Sequence, residues 1–365
     1  MSVPRTEVLV IGGGVIGAAV ADALAGAGVG TLLLERDEIA SGASGGAAGI
    51  ATPGVEGSRG GPFLDLARAG LAALREEVPR LAAETGVDVG YRADGVLEVA
   101  EDDAEAASLR ASARRSLDGA RFLGARELRE LEPALAARLC GAALLPRDVH
   151  VVSPWLVHAL ATRALRRGAT IREHTRVRAL LRAQGRVIGA RTDEGELRAR
   201  AVVLAAGPWS SELSPAPLPV RPVKGQLAYL RPARALLHRP VFGRGVYLAP
   251  KADGRLVVGA TEEDAGFDAT PRDDTSRDLV ARAARLVPEL ESEPVAGAWA
   301  GLRPATPDRL PVIGTRGDLP GVIFATGHFR NGVLLSLVTA RVVASLVAGV
   351  RPPVDIAAFS PERFG

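Results

Sequence analysis

The chain opens on an apolar run that leads directly into a cluster of glycines. Glu7-Val8-Leu9-Val10-Ile11 has the composition of a short strand, and Gly12-Gly13-Gly14-Val15-Ile16-Gly17 follows it without a gap. An alanine-rich stretch with helical spacing, Ile16 to Ala27, and a second apolar run, Thr31 to Leu34, come next. This order of strand, glycine turn, helix and strand predicts a βαβ unit with a parallel sheet.

The glycines have the spacing G-x-G-x-x-G at the point where the strand turns into the helix. Gly12 permits the tight turn, Gly14 lets the backbone approach a pyrophosphate, and Gly17 allows the helix to pack closely. Glu35 follows the second strand, where an acidic side chain receives the ribose hydroxyls of a dinucleotide. Without Glu35 the motif would indicate only a tight βα turn. With it we predict dinucleotide binding, and both NAD and FAD remain open.

Composition limits the classes of protein that this chain can belong to. A length of 365 residues predicts roughly two domains, and 47% hydrophobic with 24% charged residues is typical of a globular protein. The pI is about 9.5, but Lys224 and Lys251 are the only lysines and the arginines are scattered. No basic stripe with interleaved aromatics occurs, so we expect no nucleic-acid partner.

Three further features bear on where the protein works. The single cysteine, Cys140, excludes an internal disulfide or a cysteine metal cluster. The strand at Glu7 begins too early to leave room for a leader sequence, so we expect a cytoplasmic protein. The apolar stretch Val333 to Val350 contains Arg341 and is shorter than the roughly 20 residues of a membrane span. We therefore predict a buried helix there and no membrane partner.

Two hairpin patterns predict a second sheet, which is antiparallel. They are Tyr91 to Leu97, with Ala93-Asp94-Gly95 as its turn, and Val246 to Val258, with Ala252-Asp253-Gly254 as its turn. Other patterns predict a long helix over Phe63 to Ala83, several strands over Thr170 to Gly207, and a strand, loop and helix over Gly321 to Ala348. Because parallel and antiparallel signals alternate along the chain, we expect two interleaved domains.

Six segments resemble, in the same order, the D-amino-acid oxidase superfamily of FAD-dependent oxidoreductases. The last two resemble its glycine oxidase branch, of the thiamine pathway. The segments are the N-terminal unit with its loop of tiny residues Ser41 to Gly49, Ala205-Ala206-Gly207-Pro208-Trp209-Ser210, Val223-Lys224-Gly225-Gln226, Leu256-Val257-Val258-Gly259-Ala260-Thr261, Trp299-Ala300-Gly301-Leu302-Arg303-Pro304 and Gly327-His328-Phe329-Arg330-Asn331-Gly332.

The resemblance covers essentially the whole chain and implies an α/β fold, α+β overall. A Rossmann-like FAD-binding domain is expected from residues 1–85, 147–220 and 300–365. An interleaved substrate-binding domain is expected from residues 86–146 and 221–299, with its antiparallel sheet over the flavin.

The resemblance also implies the reaction. FAD would be bound non-covalently, and the partners would be a small amino acid such as glycine, or a secondary amine, together with O2. Hydride would pass from Cα to flavin N5, the imino acid would hydrolyse to glyoxylate or a 2-oxo acid and ammonia or an amine, and oxygen would be reduced to hydrogen peroxide. No metal is needed. A link to thiamine thiazole synthesis and a homo-oligomer, dimer or tetramer, are also implied.

Three side chains are the candidate catalytic residues. By resemblance, Arg303 clamps the substrate carboxylate, and a guanidinium suits this role because it offers a planar fork to a carboxylate. Tyr247 would add its hydroxyl to the same carboxylate, and Arg330 would lie beside the isoalloxazine ring. The alternatives are a structural salt bridge for Arg303 and a packed strand aromatic for Tyr247.

The resemblance assigns the remaining positions to two groups. The expected cofactor contacts are Gly12, Gly14, Val15, Ile16, Gly17, Glu35, Arg36, Ser41, Ser44, Ala47, Ala48, Gly49, Ile50, Val177, Ala206, Gly207, Trp209, His328, Phe329, Arg330, Asn331, Gly332, Val333 and Leu334. The expected substrate pocket consists of Ile50, Gly245, Tyr247, Glu262, Arg303 and Arg330.

Two positions depart from the pattern of the superfamily. Gly245 stands where a glycine oxidase has an imidazole side chain, and Glu262 stands where an apolar residue is expected. If Glu262 points inward, it could repel a carboxylate or hold a second amine; if it points outward, nothing changes. Two alternative functions also remain open at this level, an amino-acid dehydrogenase that reduces a quinone and a flavoprotein without catalysis.

Overall fold

The structure is a computed structural model, and it describes residues 5–56, 60–116 and 118–365. Numbered along the chain, the strands are β1 (Arg5–Ile11), β2 (Thr31–Leu34), β3 (Ile50–Ala51), β4 (Val96–Ala100), β5 (Arg121–Gly124), β6 (Gly141–Leu145), β7 (Val149–His150), β8 (Thr170–Arg172), β9 (Val177–Ala183), β10 (Arg186–Thr192), β11 (Gly195–Leu204), β12 (Arg221–Leu230), β13 (Val241–Gly243), β14 (Val246–Pro250), β15 (Leu256–Gly259), β16 (Gly297–Ala305), β17 (Val312–Gly314) and β18 (Val322–Thr326). The helices are α1 (Val15–Gly26), α2 (Pro53–Glu56), α3 (Gly61–Thr85), α4 (Asp103–Arg115), α5 (Ala125–Leu131), α6 (Ser153–Arg166), α7 (Ser210–Leu213), α8 (Asp273–Leu286) and α9 (Gly332–Ala348).

The first sheet contains the predicted βαβ unit. Its strand order is β17-β18-β11-β1-β2-β8, and β1 pairs in parallel with both β2 and β11. All four residues of β2 are buried, as expected for a strand with both faces covered. Helices α1, α6, α3 and α9 pack in succession on one face. Because β1 and β11 are parallel, their carboxyl ends lie at the same edge of the sheet.

The second sheet is antiparallel except for one parallel pair. Its order is β16-β12-β15-β14-β13-β4-β6-β5, and only β13 and β4 pair in parallel among the described strands. The pairing of β14 with β15 confirms the predicted hairpin over Val246 to Val258. The core of the second sheet is separate from the core of the first sheet. It is formed by residues of β4, β6, β12, β14, β15 and α8.

The expected mixed α/β class is confirmed. Residues of the first sheet come from 5–34, 170–204 and 312–326, and residues of the second come from 96–145 and 221–305. β16 runs across residue 300, where we placed a boundary. The exact domain bounds remain a prediction.

The predicted hairpin over Tyr91 to Leu97 is wrong. Arg92 forms only an isolated bridge with His150, and β4 pairs with β6, more than forty residues further along the chain. Gly95 does have a positive φ of 83°, so the chain turns there as expected. The turn changes the direction of the chain, but it does not join two paired strands.

The late apolar stretch forms a helix of the core. Phe329–Ala348 is long and apolar enough to cross a membrane by length and composition, and 61% of its apolar window is buried. Helix α9 packs against α1 and α3, and Gly70 of α3 lies so close to the backbone at Leu334 that a side chain would not fit. The prediction of a buried helix is confirmed.

Candidate active site

An elongated cavity of about 710 Å³ lies where the carboxyl ends of β1 and β11 face the antiparallel sheet. Its volume is in the range of roughly 300 to 1,000 Å³ that is typical of small-molecule and cofactor sites. The lining extends from the glycine turn after β1 to the side chains of β14 and β16. The position, outside the carboxyl ends of parallel strands, is where open α/β sheets bind their ligands.

The glycine turn is packed so tightly that side chains are excluded. Gly12 has a φ of +109°, and a Cβ there would overlap the carbonyl of Ala205 at the end of β11. A Cβ on Gly17 would overlap the carbonyl oxygen of Gly12. Helix α1 begins at Val15 with Gly14 as its N-cap, so its positive end faces the cavity and can attract phosphate.

Glu35 lies beside this turn. Its Oε2 accepts a hydrogen bond from the Gly13 amide at 2.6 Å, and its Oε1 accepts one from the Asp37 amide at 3.0 Å. A carboxylate has about four lone-pair positions, so two remain for hydroxyl donors in the cavity. The geometry suits the two hydroxyls of a ribose, and the negative charge would repel a 2′-phosphate.

The loop of tiny residues is held in place by hydrogen bonds. Ser44 Oγ accepts from the Val15 amide at 2.9 Å, and its backbone oxygen accepts from Ser153 Oγ at 2.7 Å. Trp299 Nε1 donates to the Gly46 oxygen at 3.0 Å. A Cβ on Gly46 would come within 3.0 Å of the Gly301 Cα, so small residues are required where loop and sheet meet. The loop is an ordered wall of the cavity.

An arginine and two aromatic rings close the end of the cavity near Glu35. The Arg36 guanidinium carbon lies 3.6 Å from the centre of the Trp209 ring, and Trp209 stacks on Phe267 with 5.5 Å between ring centres. Such cation–π contacts fix a ring and a guanidinium relative to each other. Arg36 and Trp209 both line the cavity at this end.

Arg303 and Tyr247 project from the antiparallel sheet toward the same part of the cavity. Arg303 Nη1 donates to the Thr261 carbonyl at 2.9 Å, and its guanidinium lies over Gly225. Tyr247 pairs with Gly259 across β14 and β15, and its hydroxyl lies over that glycine. Two glycines on one face therefore give both polar groups room to extend over the sheet.

Replacing Gly225 by alanine should weaken the arginine clamp without removing it. A Cβ at this position would overlap the guanidinium of Arg303, which must then move. On the role that the resemblance implies for Arg303, we expect kcat/KM to fall about 10-fold, equivalent to about 1.4 kcal/mol, with the implied flavin retained. Steady-state kinetics with glycine, the substrate that the resemblance implies, measure this. Gly297→Ala is the matched control, because its Cβ meets the Tyr229 ring instead; equal kinetic losses in both variants would contradict the clamp.

His328 and Arg330 flank Phe329 at the other wall. His328 is 3% exposed, its Nε2 lies 3.0 Å from Thr339 Oγ1, and burial lowers the pKa of its ring to about 3. The ring is therefore neutral at ordinary pH and serves packing. The Arg330 guanidinium carbon lies 5.6 Å from the centre of the Phe329 ring and at the cavity surface.

Glu262 lies at the cavity mouth and pairs with Arg309, so neither of its two expected orientations describes it fully. The guanidinium of Arg309 donates to the Glu262 carboxylate. The Arg309 side chain is 50% exposed and that of Glu262 is 37% exposed. Arg309 also lies 5.1 Å from the centre of the Phe329 ring. The paired carboxylate presents much less negative charge to a ligand than an isolated one would.

We expect Glu262→Gln to have small effects. Exposed ion pairs contribute about 0 to 1 kcal/mol, so the free energy of unfolding should change by less than that, and KM for glycine should stay within about 3-fold. Urea denaturation and steady-state kinetics measure the two quantities. A KM that falls tenfold or more would mean that the carboxylate repels the substrate after all.

Nearly all of the predicted site residues line this one cavity. Those on its surface are Gly12, Gly14, Val15, Ile16, Glu35, Arg36, Ser41, Ser44, Ala47, Ala48, Gly49, Ile50, Val177, Ala206, Gly207, Trp209, Gly245, Tyr247, Glu262, Arg303, His328, Phe329, Arg330, Asn331, Gly332 and Val333. Gly17 and Leu334 lie behind the wall, Gly17 against Gly12 and Leu334 in the core. The individual roles remain predictions.

Some residues at the site were not predicted. Thr52 lines the cavity and Arg309 pairs with Glu262 at its mouth, and no local pattern marks either residue. Gly225 and Gly259 did stand in the quoted segments, and their lack of a side chain within strands was a usable signal, because a strand glycine often marks a close approach. Among the described residues, no group of three or more His, Cys, Asp or Glu side chains could hold a metal ion.

The residues present fit FAD. The turn that excludes any Cβ, the helix N-terminus, the acceptor pair of Glu35 and the ordered loop match a dinucleotide with a ribose and a pyrophosphate. The cavity continues from there to the face of the antiparallel sheet that carries Arg303 and Tyr247.

Comparisons with known proteins cover nearly the whole chain. Residues 7–346 match the family DAO, FAD dependent oxidoreductase. A glycine oxidase of Geobacillus kaustophilus is 37% identical over 371 residues, covering 98% of this chain and 97% of that protein. A bifunctional protein ThiO/ThiG of a Nostoc species is 35% identical over 347 residues, covering 93% of this chain.

The chain spans about half, 52%, of the length of that bifunctional relative. The crystal structure of glycine oxidase from Geobacillus kaustophilus superposes with a TM-score of 0.93 at 35% identity, covering 98% of each chain. The similarity therefore includes both sheets and the cavity between them.

Proposed function

Because this chain belongs to the DAO family of FAD dependent oxidoreductases, we propose that it oxidises the carbon–nitrogen bond of a small amino acid, with glycine as the first candidate. The products are glyoxylate, ammonia and hydrogen peroxide, and the electron acceptor is O2. The relatives named glycine oxidase and ThiO/ThiG support this substrate and a link to thiamine synthesis.

The observation that carries the proposal is the placement of a guanidinium and a phenol on the face of the sheet that closes the cavity. Arg303 and Tyr247 both extend over strand glycines toward the same space. An arginine offers a planar pair of donors to a carboxylate, and a tyrosine hydroxyl adds a third. A flavoprotein without catalysis has no need of this arrangement.

The chain's own residues bind and orient the substrate. Arg303 and Tyr247 hold the carboxylate, which fixes Cα over the cofactor, and positioning of this kind lowers the barrier to reaction. Bound FAD would supply the hydride acceptor and the route of the electrons to O2. Arg330 places a positive charge at the flavin end of the cavity. Gly245 lines the cavity without a side chain that would limit the size of the substrate.

We propose the cofactor contacts on the basis of the same geometry. Gly12, Gly14 and the start of α1 receive the pyrophosphate, and Glu35 receives the ribose. The loop from Ser41 to Ile50 and residues 328–334 lie along the flavin without a covalent bond. FAD is held mainly by residues 1–85, 147–220 and 300–365, and residues 86–146 and 221–299 close over it. The protein works in the cytoplasm as a dimer or tetramer.

The experiment uses the purified yellow protein. Glycine, sarcosine and D-alanine are each mixed with it in air, and peroxide is followed; the proposal expects peroxide in step with substrate consumed. Bleaching of the flavin spectrum under anaerobic conditions, without peroxide in air, would indicate a dehydrogenase that passes electrons to a quinone. A protein that is colourless and does not take up FAD would contradict the proposal as a whole.

A further inference from the structure

The guanidinium of Arg303 contacts two backbone carbonyls, and each belongs to a segment that the sequence already marks. Arg303 Nη1 donates to the Thr261 carbonyl at 2.9 Å and makes a longer contact, of 3.5 Å, with the Lys224 carbonyl. Thr261 ends the segment Leu256 to Thr261, and Lys224 lies in the segment Val223 to Gln226. The direction of the guanidinium therefore depends on where these two carbonyls lie.

The two segments that carry the carbonyls are paired with each other. Lys224 and Glu263 form an isolated antiparallel bridge, in which the Lys224 amide donates to the Glu263 carbonyl at 3.0 Å. The Glu263 amide donates in return to the Lys224 carbonyl at 2.9 Å, and the Thr261 amide donates to the Gln226 carbonyl at 3.2 Å. Residues 261–263 therefore lie alongside β12, and this pairing sets the position of the Thr261 carbonyl.

Lys224 and Gln226 project from the face of β12 that is opposite the cavity. They alternate with Gly225 and Leu227, which line the cavity, and neighbouring side chains of a strand point to opposite faces. The Gln226 side chain is fully buried and bonds to the backbone of Arg272 at the start of α8. The Lys224 residue is 2% exposed. Both side chains therefore serve this segment from behind the sheet.

The carboxylate of Glu263 joins two side chains behind the sheet. It accepts a hydrogen bond from Thr261 Oγ1, and its Oε2 lies 3.7 Å from Lys224 Nζ. Thr261 Oγ1 in turn accepts a hydrogen bond from the Gln226 amide at 2.9 Å. Removing one partner of a buried ion pair or hydrogen bond is destabilising. Loss of the hydroxyl or of the carboxylate would therefore loosen the segment that carries the Thr261 carbonyl.

We propose that Thr261 and Glu263 are positioning residues, which hold the Thr261 carbonyl where it directs Arg303 toward a carboxylate. The inference rests on the proposed function, in which Arg303 binds the carboxylate of the substrate. A displaced carbonyl would let the guanidinium turn away, and misplacement of a binding group by about 1 Å can reduce a rate about 100-fold. Glu263 itself does not line the cavity, so it acts on the ligand only through Arg303.

Substitutions at Thr261 and Glu263 test this role in the protein loaded with FAD. Thr261→Val removes the hydroxyl at nearly constant size, Thr261→Ser keeps it, and Glu263→Gln removes the charge. The probe is acetate, whose Kd is measured from the change in flavin absorbance. We expect this Kd to rise about 10-fold in Thr261→Val and in Glu263→Gln, and to stay within about 3-fold of the wild type in Thr261→Ser.

A double variant separates positioning of Arg303 from a general effect on packing. Thr261→Val should lower kcat/KM for glycine about 10-fold in the wild type but less than about 2-fold in the Arg303→Ala background, because residues that act through one another are not additive. The Kd for FAD should be the same in all four proteins. Equal decreases of kcat/KM in the two backgrounds would overturn the inference.

Two matched controls change equivalent groups outside the cavity lining. Thr85→Val removes a buried hydroxyl that also accepts from an amide, that of Val87, and donates to the Leu81 oxygen. Asp318→Asn removes the carboxylate beside a buried cation, Arg316. Both variants should bind acetate and FAD as the wild type does. An equal loss of acetate affinity in controls and test variants would overturn the inference, because the effect would then be one of general stability.

The acetate titration keeps this inference distinguishable from the proposed function. Unchanged acetate affinity in Thr261→Val and Glu263→Gln overturns the inference even if glycine is oxidised, and Glu263→Gln decides alone if Thr261→Val does not fold. A wild type that binds no acetate overturns it as well. If acetate affinity falls as expected but no amino acid reduces the flavin, the proposed function is contradicted and the positioning of Arg303 is supported.

Discussion

Gly17→Ala should nearly abolish FAD binding and destabilise the fold, although alanine normally stabilises a helix by about 1 kcal/mol relative to glycine. The added Cβ would overlap the carbonyl oxygen of Gly12, and neither backbone can move without opening the turn. Because forced overpacking costs about 1 to 3 kcal/mol or more, we expect the free energy of unfolding to fall by at least about 2 kcal/mol. The Kd for FAD should rise 100-fold or more, equivalent to about 3 kcal/mol.

Urea denaturation of the protein without cofactor and a fluorescence titration with FAD measure the two effects. The matched control is Gly26→Ala, the same change in the last turn of the same helix. There the three atoms nearest the added Cβ all belong to the Arg167 side chain and none to the backbone, so stability should change much less than in Gly17→Ala. If both variants bind FAD equally well, the close approach at Gly17 has no part in cofactor binding.

Arg303→Ala should remove most of the affinity for substrate carboxylate while leaving the cofactor bound. Loss of a charge-assisted hydrogen bond costs about 1.5 to 3 kcal/mol, which corresponds to a decrease in kcat/KM of about 10- to 150-fold. The side chain also donates to the Thr261 carbonyl, so a small decrease in thermal stability is expected as well. Steady-state kinetics with glycine and the flavin absorbance of the purified variant measure the outcome.

Arg126→Ala serves as the control for Arg303→Ala, because the Arg126 side chain is 88% exposed and pairs only with Glu130 on its own helix. Its kinetics should be those of the wild type. Unchanged kcat/KM in Arg303→Ala would exclude Arg303 from the substrate site and favour a purely structural role. A variant that loses its yellow colour would instead indicate that Arg303 supports the cofactor domain.

The βαβ unit could be predicted because its cause is local. The glycines of the turn and Glu35 lie within a short stretch, and the steric demands of a dinucleotide apply to neighbours in sequence. Helices α4 and α8 were not predicted, although signals existed. Asp102 caps α4 by accepting a hydrogen bond from the Glu105 amide at 2.9 Å, and two aspartates begin α8. Both helices are polar on most of their surface, so hydrophobic periodicity alone does not reveal them.

The other failures are long-range. The turn at Gly95 predicted a hairpin, but the partner of β4 is β6, and nothing in either segment identifies the other. The pairing of Glu262 with Arg309 and of Thr52 with Asp148 likewise joins segments 47 and 96 residues apart. Local propensity carries no information about such pairs. The resemblance to a family indicates the order of the segments along the chain, and only the three-dimensional structure shows which side chains are in contact.

The central position of β1 has a consequence for how the protein is made. β1 is synthesised before β11, one of its two partners, which ends at Leu204, and β18 completes that edge only at Thr326. Pairings this distant in sequence form slowly, so the side of β1 that faces β11 has no partner strand until the chain has been synthesised beyond Leu204. Nascent chains that stall before Leu204 should therefore be bound by chaperones, whereas those that stall after Thr326 should not.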